Sequence, residues 1–175
     1  MKEDNSRVRY LSFDEEARLK EALKARDLKV KRERDSGNKH RAERGYPLLP
    51  DLSTRTFADY LEPLVILAMN TGMRRGELLS LRWQNVNLER DVLTIEATNA
   101  KSGKARHIPL NQKAKSALTN WRKDCDSLMW VFEGKPDQPL RDIKKAWSTI
   151  LEDAKIKDFR FHDLRHHFAS RLVMA

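Results

Sequence analysis

Three short stretches of this sequence bring together side chains able to hold a phosphate and move a proton. The first is Thr71-Gly72-Met73-Arg74-Arg75-Gly76-Glu77-Leu78. A glycine turn there sets Arg74 at the mouth of a helix, where backbone amides and a guanidinium point the same way and suit a phosphate oxygen. Glu77 lies three residues on, within reach of the arginine fork. The second stretch is Asn99-Ala100-Lys101-Ser102-Gly103-Lys104-Ala105-Arg106. A lysine at a hairpin tip reaches into a groove, and desolvation near other cations lowers its pKa, so it can act as a general acid. The third is Phe161-His162-Asp163-Leu164-Arg165-His166-His167-Phe168. His162 and Arg165 are three apart, so a helix puts them on one face. A histidine and an arginine side by side can grip a phosphoryl group and transfer a proton.

Each stretch also has a plainer reading. Arg74 and Glu77 have the spacing of a surface helix ion pair. Lys101 and Lys104 fit a solvated basic turn. His162 and His166 share the i, i+4 spacing of a helical metal site, but the glutamate usual between such histidines is absent and Arg165 repels a cation.

The elements that must position these residues follow from capping signals and periodicity. Ser12-Phe13-Asp14-Glu15 is a capping box, so a helix follows with Leu19, Ala22 and Leu23 on its apolar stripe. From about 29 to 50 the pattern dissolves into a basic stretch holding Gly37, Gly45, Pro47 and Pro50. It reads as a long basic loop with some helix at its start, suited either to a DNA backbone or to a solvated insertion. Leu61, Leu64, Val65 and Ala68 recur at helical spacing over Thr56 to Met69, with Pro63 near the start and Gly72 as cap. A further helix is predicted from about Arg75 to Leu81. Val92 to Thr98 and Ala105 to Leu110 form the strands of a hairpin around the lysine-bearing turn. Asn111 caps a helix through Trp121. Val131-Phe132 reads as a short strand, Leu140 to Ala154 as an amphipathic helix, and His162 to Ala175 as a last helix carrying Leu164, Phe168 and Leu172. The expected fold class is mainly α with a small antiparallel β-sheet (α+β), not an alternating β and α fold.

Composition narrows the partner. A chain of 175 residues suits one domain with a full core. Lysine and arginine number 35 against 26 acidic residues, a net charge of +9, and the pI is near 9.8. That balance favours a polyanion, with DNA or RNA first. Cys125 is the single cysteine, which excludes an intrachain disulfide and a multi-cysteine zinc site. No apolar run reaches membrane length and the first residues lack the hydrophobic core of a signal peptide, so an intracellular, cytoplasmic protein is expected. Leu172-Val173-Met174-Ala175 has no glycine cap and no polar exit, so a truncated helix is expected there.

Taken in order, Thr-Gly-x-Arg-x-x-Glu-Leu, a hairpin lysine, and His-x-Leu-Arg-His-x-x-Ala resemble the catalytic domain of tyrosine recombinases of the phage-integrase kind. Arg9-Tyr10-Leu11-Ser12 resembles the start of that domain, so the resemblance covers nearly the whole chain. It implies the tyrosine recombinase catalytic-domain fold and DNA strand cleavage and rejoining through a 3′-phosphotyrosine. By the same resemblance, Arg74 and Arg165 clamp the non-bridging oxygens of the scissile phosphate. Lys101 protonates the leaving 5′ oxygen, with Lys104 as its rival. His162 acts as base or transition-state donor. Glu77 and His166 support the site, and Arg75, Lys104 and Arg106 contact DNA. No metal or other cofactor is implied. The implied partner is double-stranded DNA, and the family assembles on it as a tetramer, whereas this chain by itself is expected to be a monomer.

The departures from the family pattern matter equally. The nucleophilic tyrosine of the family lies well beyond the second arginine, whereas Tyr10, Tyr46 and Tyr60 all precede Arg74. The expectation is a single catalytic domain over 1–175, incomplete at its C-terminal end and without the separate N-terminal core-binding domain. Such a chain binds DNA and does not cleave it alone. Two other readings stay open: a type IB topoisomerase-like enzyme, which uses a similar arginine, lysine and tyrosine set, and a non-catalytic DNA-binding or recombination-accessory module.

Overall fold

The computed structural model describes residues 9–97 and 104–174. Helix α1 (Phe13–Glu43) begins where the capping box places it. The Ser12 hydroxyl accepts from the Glu15 N–H at 3.1 Å and the Glu15 carboxylate accepts from the Ser12 N–H at 2.9 Å. Its buried residues are Glu16, Leu19, Leu23 and Asp27, one stripe at helical spacing.

The expected basic loop at about 29–50 is corrected here, since α1 runs on through Glu43. Ion pairs one turn apart, Asp27–Lys31 at 3.0 Å and Asp35–Lys39 at 3.0 Å, help, but such pairs contribute only about 0.3–0.5 kcal/mol each. The returning chain does more. Lys31 donates to the carbonyls of Arg55 and Thr56, Arg34 to that of Pro50 at 2.8 Å, and Arg41 to that of Pro47 at 2.6 Å. Asn38 both donates to and accepts from the Leu49 backbone, each at 2.9 Å. Cations that read as a solvated loop thus serve as internal donors for a segment lacking regular structure.

Helix α2 (Leu61–Thr71) is the centre of the core. Leu61, Leu64, Val65 and Leu67 are fully buried, and α2 packs against α4 (Gln112–Asp124) and α6 (Asp163–Met174). It begins at Leu61 rather than Thr56. That start puts Pro63 in the first turn, where a missing N–H costs no helical bond. Gly72 ends it with φ +59°, the left-handed cap. After α3 (Arg75–Leu79) and a 3₁₀ turn at Trp83–Asn85 comes a three-stranded antiparallel sheet. Its strands β1 (Val86–Asn87), β2 (Val92–Ile95) and β3 (Arg106–Pro109) lie in sequence order, with Leu93 opposite Ile108 and both facing the core.

Asn111 caps α4 by accepting from the Ala114 N–H at 2.9 Å. Val131-Phe132 is not a strand. Only isolated pairings flank it, Arg82 with Trp130 and Glu133 with Pro139. The pair is fully buried instead, and the Trp121 indole donates to the Val131 carbonyl at 2.6 Å. Helix α5 (Lys144–Asp153) packs on α1, shorter than the predicted Leu140–Ala154. The result is mainly α with a small antiparallel sheet, as the periodicity indicates.

An ion cluster around the buried Glu16 fastens α1 to α6. Glu16 pairs with Lys20 and with Arg171, and its carboxylate lies 3.3 Å from Nε2 of the buried His167. Burial acts to raise the Glu16 pKa, but the Lys20 and Arg171 donors outweigh it and hold the value at about 2. Burial also pushes His167 down, which keeps its imidazole neutral, and Nδ1 has no hydrogen-bond partner among the described residues. Because the folded pKa of Glu16 lies below its ordinary 4.5, the stability it contributes is fully present above pH 4.5 and is lost as pH falls towards 2. Glu16→Gln is expected to cost about 1–3 kcal/mol at neutral pH and to flatten the acid limb of urea unfolding over that window. An acid limb identical to wild type would mean that the cluster does not hold α6.

Candidate active site

Two arginines, Arg74 and Arg106, converge on one buried carboxylate, that of Glu77. Arg74 is the extended N-cap residue of α3, with φ −70° and ψ 150°. Its N–H donates to Glu77 Oε2 at 2.8 Å and its guanidinium to Oε1 at 3.1 Å. From the opposite side Arg106, the first residue of β3, donates to the same two oxygens at 3.0 and 2.6 Å. The Glu77 side chain is 2% exposed, whereas Arg74 and Arg106 are 35% and 31% exposed. The carboxylate is therefore the floor of the site and the two guanidiniums are its outer face. Burial acts to raise the Glu77 pKa, yet the donors from Arg106 and Arg74 outweigh it and hold the group ionised below the ordinary carboxylate range.

Arg165, on the first turns of α6, reaches the same place from a third element. It donates to the carbonyl of Gly72, at the junction of α2 and α3. Burial lowers its pKa first, and repulsion from Arg74 and Arg106 adds to this, with Glu77 partly offsetting. A guanidinium stays charged through such a shift. Three cations around one anion leave a local excess of positive charge facing solvent, which suits a phosphodiester.

Gly72 is what lets α6 come this close. Its left-handed φ suits glycine, and a methyl group there would fall 2.4 Å from Cδ1 of Phe168. Arg165 and Phe168 are one turn apart on α6, so one helix face brings a cation to the Gly72 carbonyl and a ring to its bare Cα.

The other candidates stand at the margins. His162 is exposed and sits in the turn ahead of α6, not on the helix as the spacing suggested; its carbonyl accepts from the Arg165 N–H at 3.1 Å. Its ring stands edge-on to that of His166, 5.6 Å between centroids at 83°. Arg75 is the exposed first residue of α3, and Lys104 is exposed at the bend entering β3. Lys101 lies outside the described residues. The double fork of Arg106 on Glu77 escaped sequence reading, because the two are 29 positions apart. The Glu16–His167 contact escaped too, although a helical stripe on α1 with an acid at each end was a usable signal. A groove of about 650 Å³ lined by Phe57, Met69, His167, Phe168 and Leu172 among others does not include Arg74, Glu77, Arg106 or Arg165. At the arginine site Arg74 and Arg106 instead present about one-third of their side chains to solvent.

Comparison with known proteins identifies the family of the chain. The profile of the phage integrase family matches residues 47–175. The integrase of Salmonella phage P22 is 36% identical over 148 residues, covering 73% of this chain and 37% of the phage protein. A shufflon-specific DNA recombinase of Escherichia coli is 33% identical over 105 residues, covering 60% of this chain and 25% of the relative. The chain thus spans well under half the length of these relatives. Among solved structures, XerA recombinase superimposes with a TM-score of 0.61 at 22% identity, over 94% of this chain and 50% of the other. The Tn1549 transposon integrase in complex with transposon right end DNA gives 0.65 at 15% identity, over 99% and 56%. These two likenesses concern the fold.

Gly72→Ala tests the junction. Both the positive φ and the Phe168 contact oppose the methyl, so a loss of about 2 kcal/mol or more is expected in urea unfolding. A loss below about 0.5 kcal/mol, within the range of a neutral surface change, would mean that α6 does not seat on Gly72.

Proposed function

This chain belongs to the phage integrase family, and we propose that it forms the catalytic arginine site of a site-specific DNA recombinase that works through a 3′-phosphotyrosine. The observation that carries this reading is the convergence of Arg74, Arg106 and Arg165 on the buried Glu77 and the Gly72 carbonyl. In-line attack on a phosphodiester builds negative charge on the non-bridging oxygens. Arg74 and Arg165 are the groups that meet it, since each is a fixed cation with donors to spare. Lys101, or Lys104 as its rival, gives a proton to the leaving 5′ oxygen, and His162 assists as base or transition-state donor. Energy is conserved in the protein–DNA ester, so a second 5′ hydroxyl can displace the tyrosine and reseal the strand. The names of the relatives favour recombination over topoisomerase action.

The attacking tyrosine is not one of the three in this sequence. Tyr10 is exposed ahead of α1, and Tyr46 is exposed beside the end of α1. Tyr60 adjoins α2 near Asp59, Arg26 and Asp142. None of them bonds to Arg74, Glu77, Arg106 or Arg165 among the described residues. The 175-residue chain is therefore proposed to bind double-stranded DNA as a monomer and to leave it uncut, with assembly into a tetramer belonging to the whole recombinase. Among the described residues no helix is long and apolar enough to cross a membrane, and a cytoplasmic, DNA-associated setting is the location proposed.

Duplex binding measured against salt tests this reading. Each phosphate contact contributes a slope of about −0.9 in log affinity against log salt. Arg165→Ala is expected to weaken binding about tenfold and to reduce that slope by about one. Salt-insensitive binding, or none, would overturn the DNA assignment. On a nicked duplex bearing an attachment site, a covalent adduct of the 175-residue chain on a denaturing gel would overturn the absence of the nucleophile. Salt-sensitive binding by a longer, tyrosine-bearing form that never yields an adduct would point to an accessory module instead.

A further inference from the structure

We propose that Arg106 is a positioning residue: by saturating Glu77 it keeps Arg74 turned outward and anchors the β2–β3 hairpin beside the arginine pair. The inference rests on the DNA reading above and concerns how that site is held in shape.

The argument begins with what a carboxylate can accept. Its two oxygens offer about four lone-pair sites. In Glu77 four donors occupy them: the Arg74 N–H, one Arg74 guanidinium nitrogen, and both terminal nitrogens of Arg106. Arg106 donates one hydrogen bond to each oxygen in a planar fork, which leaves Arg74 a single guanidinium hydrogen bond at 3.1 Å. The remaining donors of Arg74 have no place on Glu77 and are available to a phosphate. Without Arg106, Arg74 would be free to swing into the vacated fork and neutralise Glu77 alone. Its best donors would then face inward, and the site would lose a phosphate contact although Arg74 itself was intact.

The second consequence concerns the hairpin. Arg106 pairs with Ile95 at the end of the β2–β3 ladder, next to the stretch of sequence that carries Lys101 and Lys104. A fork from this position onto α3 ties the end of the hairpin to the element that presents Arg74. Leu93, Ile95 and Ile108 seat the strands on the core, and the ion pair adds a polar tie from the last register of the ladder to α3. The basic residue in this motif thus has a task distinct from contacting DNA, because its forked face is already spent on Glu77.

A double-mutant cycle on the 175-residue chain separates this role from a direct phosphate contact and from plain destabilisation. Duplex affinity is measured for wild type, Arg106→Gln, Arg74→Ala and the double variant, below their unfolding temperatures. Arg106→Gln is expected to weaken binding about three- to tenfold in the wild-type background and less than about twofold when Arg74 is already alanine. Arg106→Lys keeps the charge but not the fork, and is expected to bind like the glutamine variant. Equal losses in both backgrounds, or full binding by Arg106→Lys, would overturn the proposal. Titration of the Glu77 carboxyl by ¹³C NMR gives a readout that needs no DNA. Its midpoint is expected to rise in Arg106→Gln, and an unmoved midpoint would show that the fork does not form. Absence of salt-sensitive binding by the wild type would count against the DNA reading alone, leaving Arg106 to be judged by the titration.

Discussion

A carboxylate sealed from water must be matched by cations, and in this domain the matching of Glu77 fixes both Arg74 and Arg106. An ion moved into a low-dielectric interior costs several kcal/mol unless its lone pairs are met. Glu77 meets that requirement with four hydrogen bonds from two arginines. The arginines come from α3 and β3, so the need to neutralise one anion brings the helix and the hairpin together. Each guanidinium remains about one-third exposed. The buried side of each arginine is thereby immobilised, and the donors of Arg74 that Glu77 does not take are held facing outward. Pre-organised charge of this kind loses little on binding, which is why it is effective against a developing oxyanion.

The third arginine arrives by a steric route. Arg165 and Phe168 occupy one face of α6, and both rest on Gly72, the carbonyl under the guanidinium and the bare Cα under the ring. A side chain at position 72 would hold α6 away from α3 and separate the cations. Glu16 clamps the far half of α6 through Arg171 and His167. The helix is thus held by two sets of contacts that interleave along it, one polar around the buried Glu16, the other a close approach to the Gly72 backbone.

Charge in this chain is used in two ways that a net total of +9 does not separate. Along the outer half of α1, Lys31, Arg34 and Arg41 give their donors to carbonyls of the returning segment 47–56. Those cations substitute for the hydrogen bonds that a regular element would supply. At the arginine site the same residue type is backed by an acid and presents its outer edge to solvent. A basic residue is part of an interface only when its donors are not already engaged, and that is a property of geometry rather than of composition.

Local signals in the sequence settled a good deal. The capping box at Ser12, the Asn111 cap, the α2 periodicity and the Gly72 stop depend on neighbours within a turn or two, so residue order alone determines them. The motif stretches around Arg74 and Arg165 were legible for the same reason, as was the α+β class. Tertiary structure decided the rest. Residues 29–43 are helical because side chains of α1 find carbonyls up to 25 positions away. Val131-Phe132 is core rather than strand because Trp121 and Leu81 take up the Val131 backbone. Above all, Arg106 and Glu77 are joined across 29 positions and Arg165 and Gly72 across 93. Such partners share no period, cap or turn that could announce them. They meet because burying the apolar faces of α2, α6 and the sheet leaves one place where these charges can be matched.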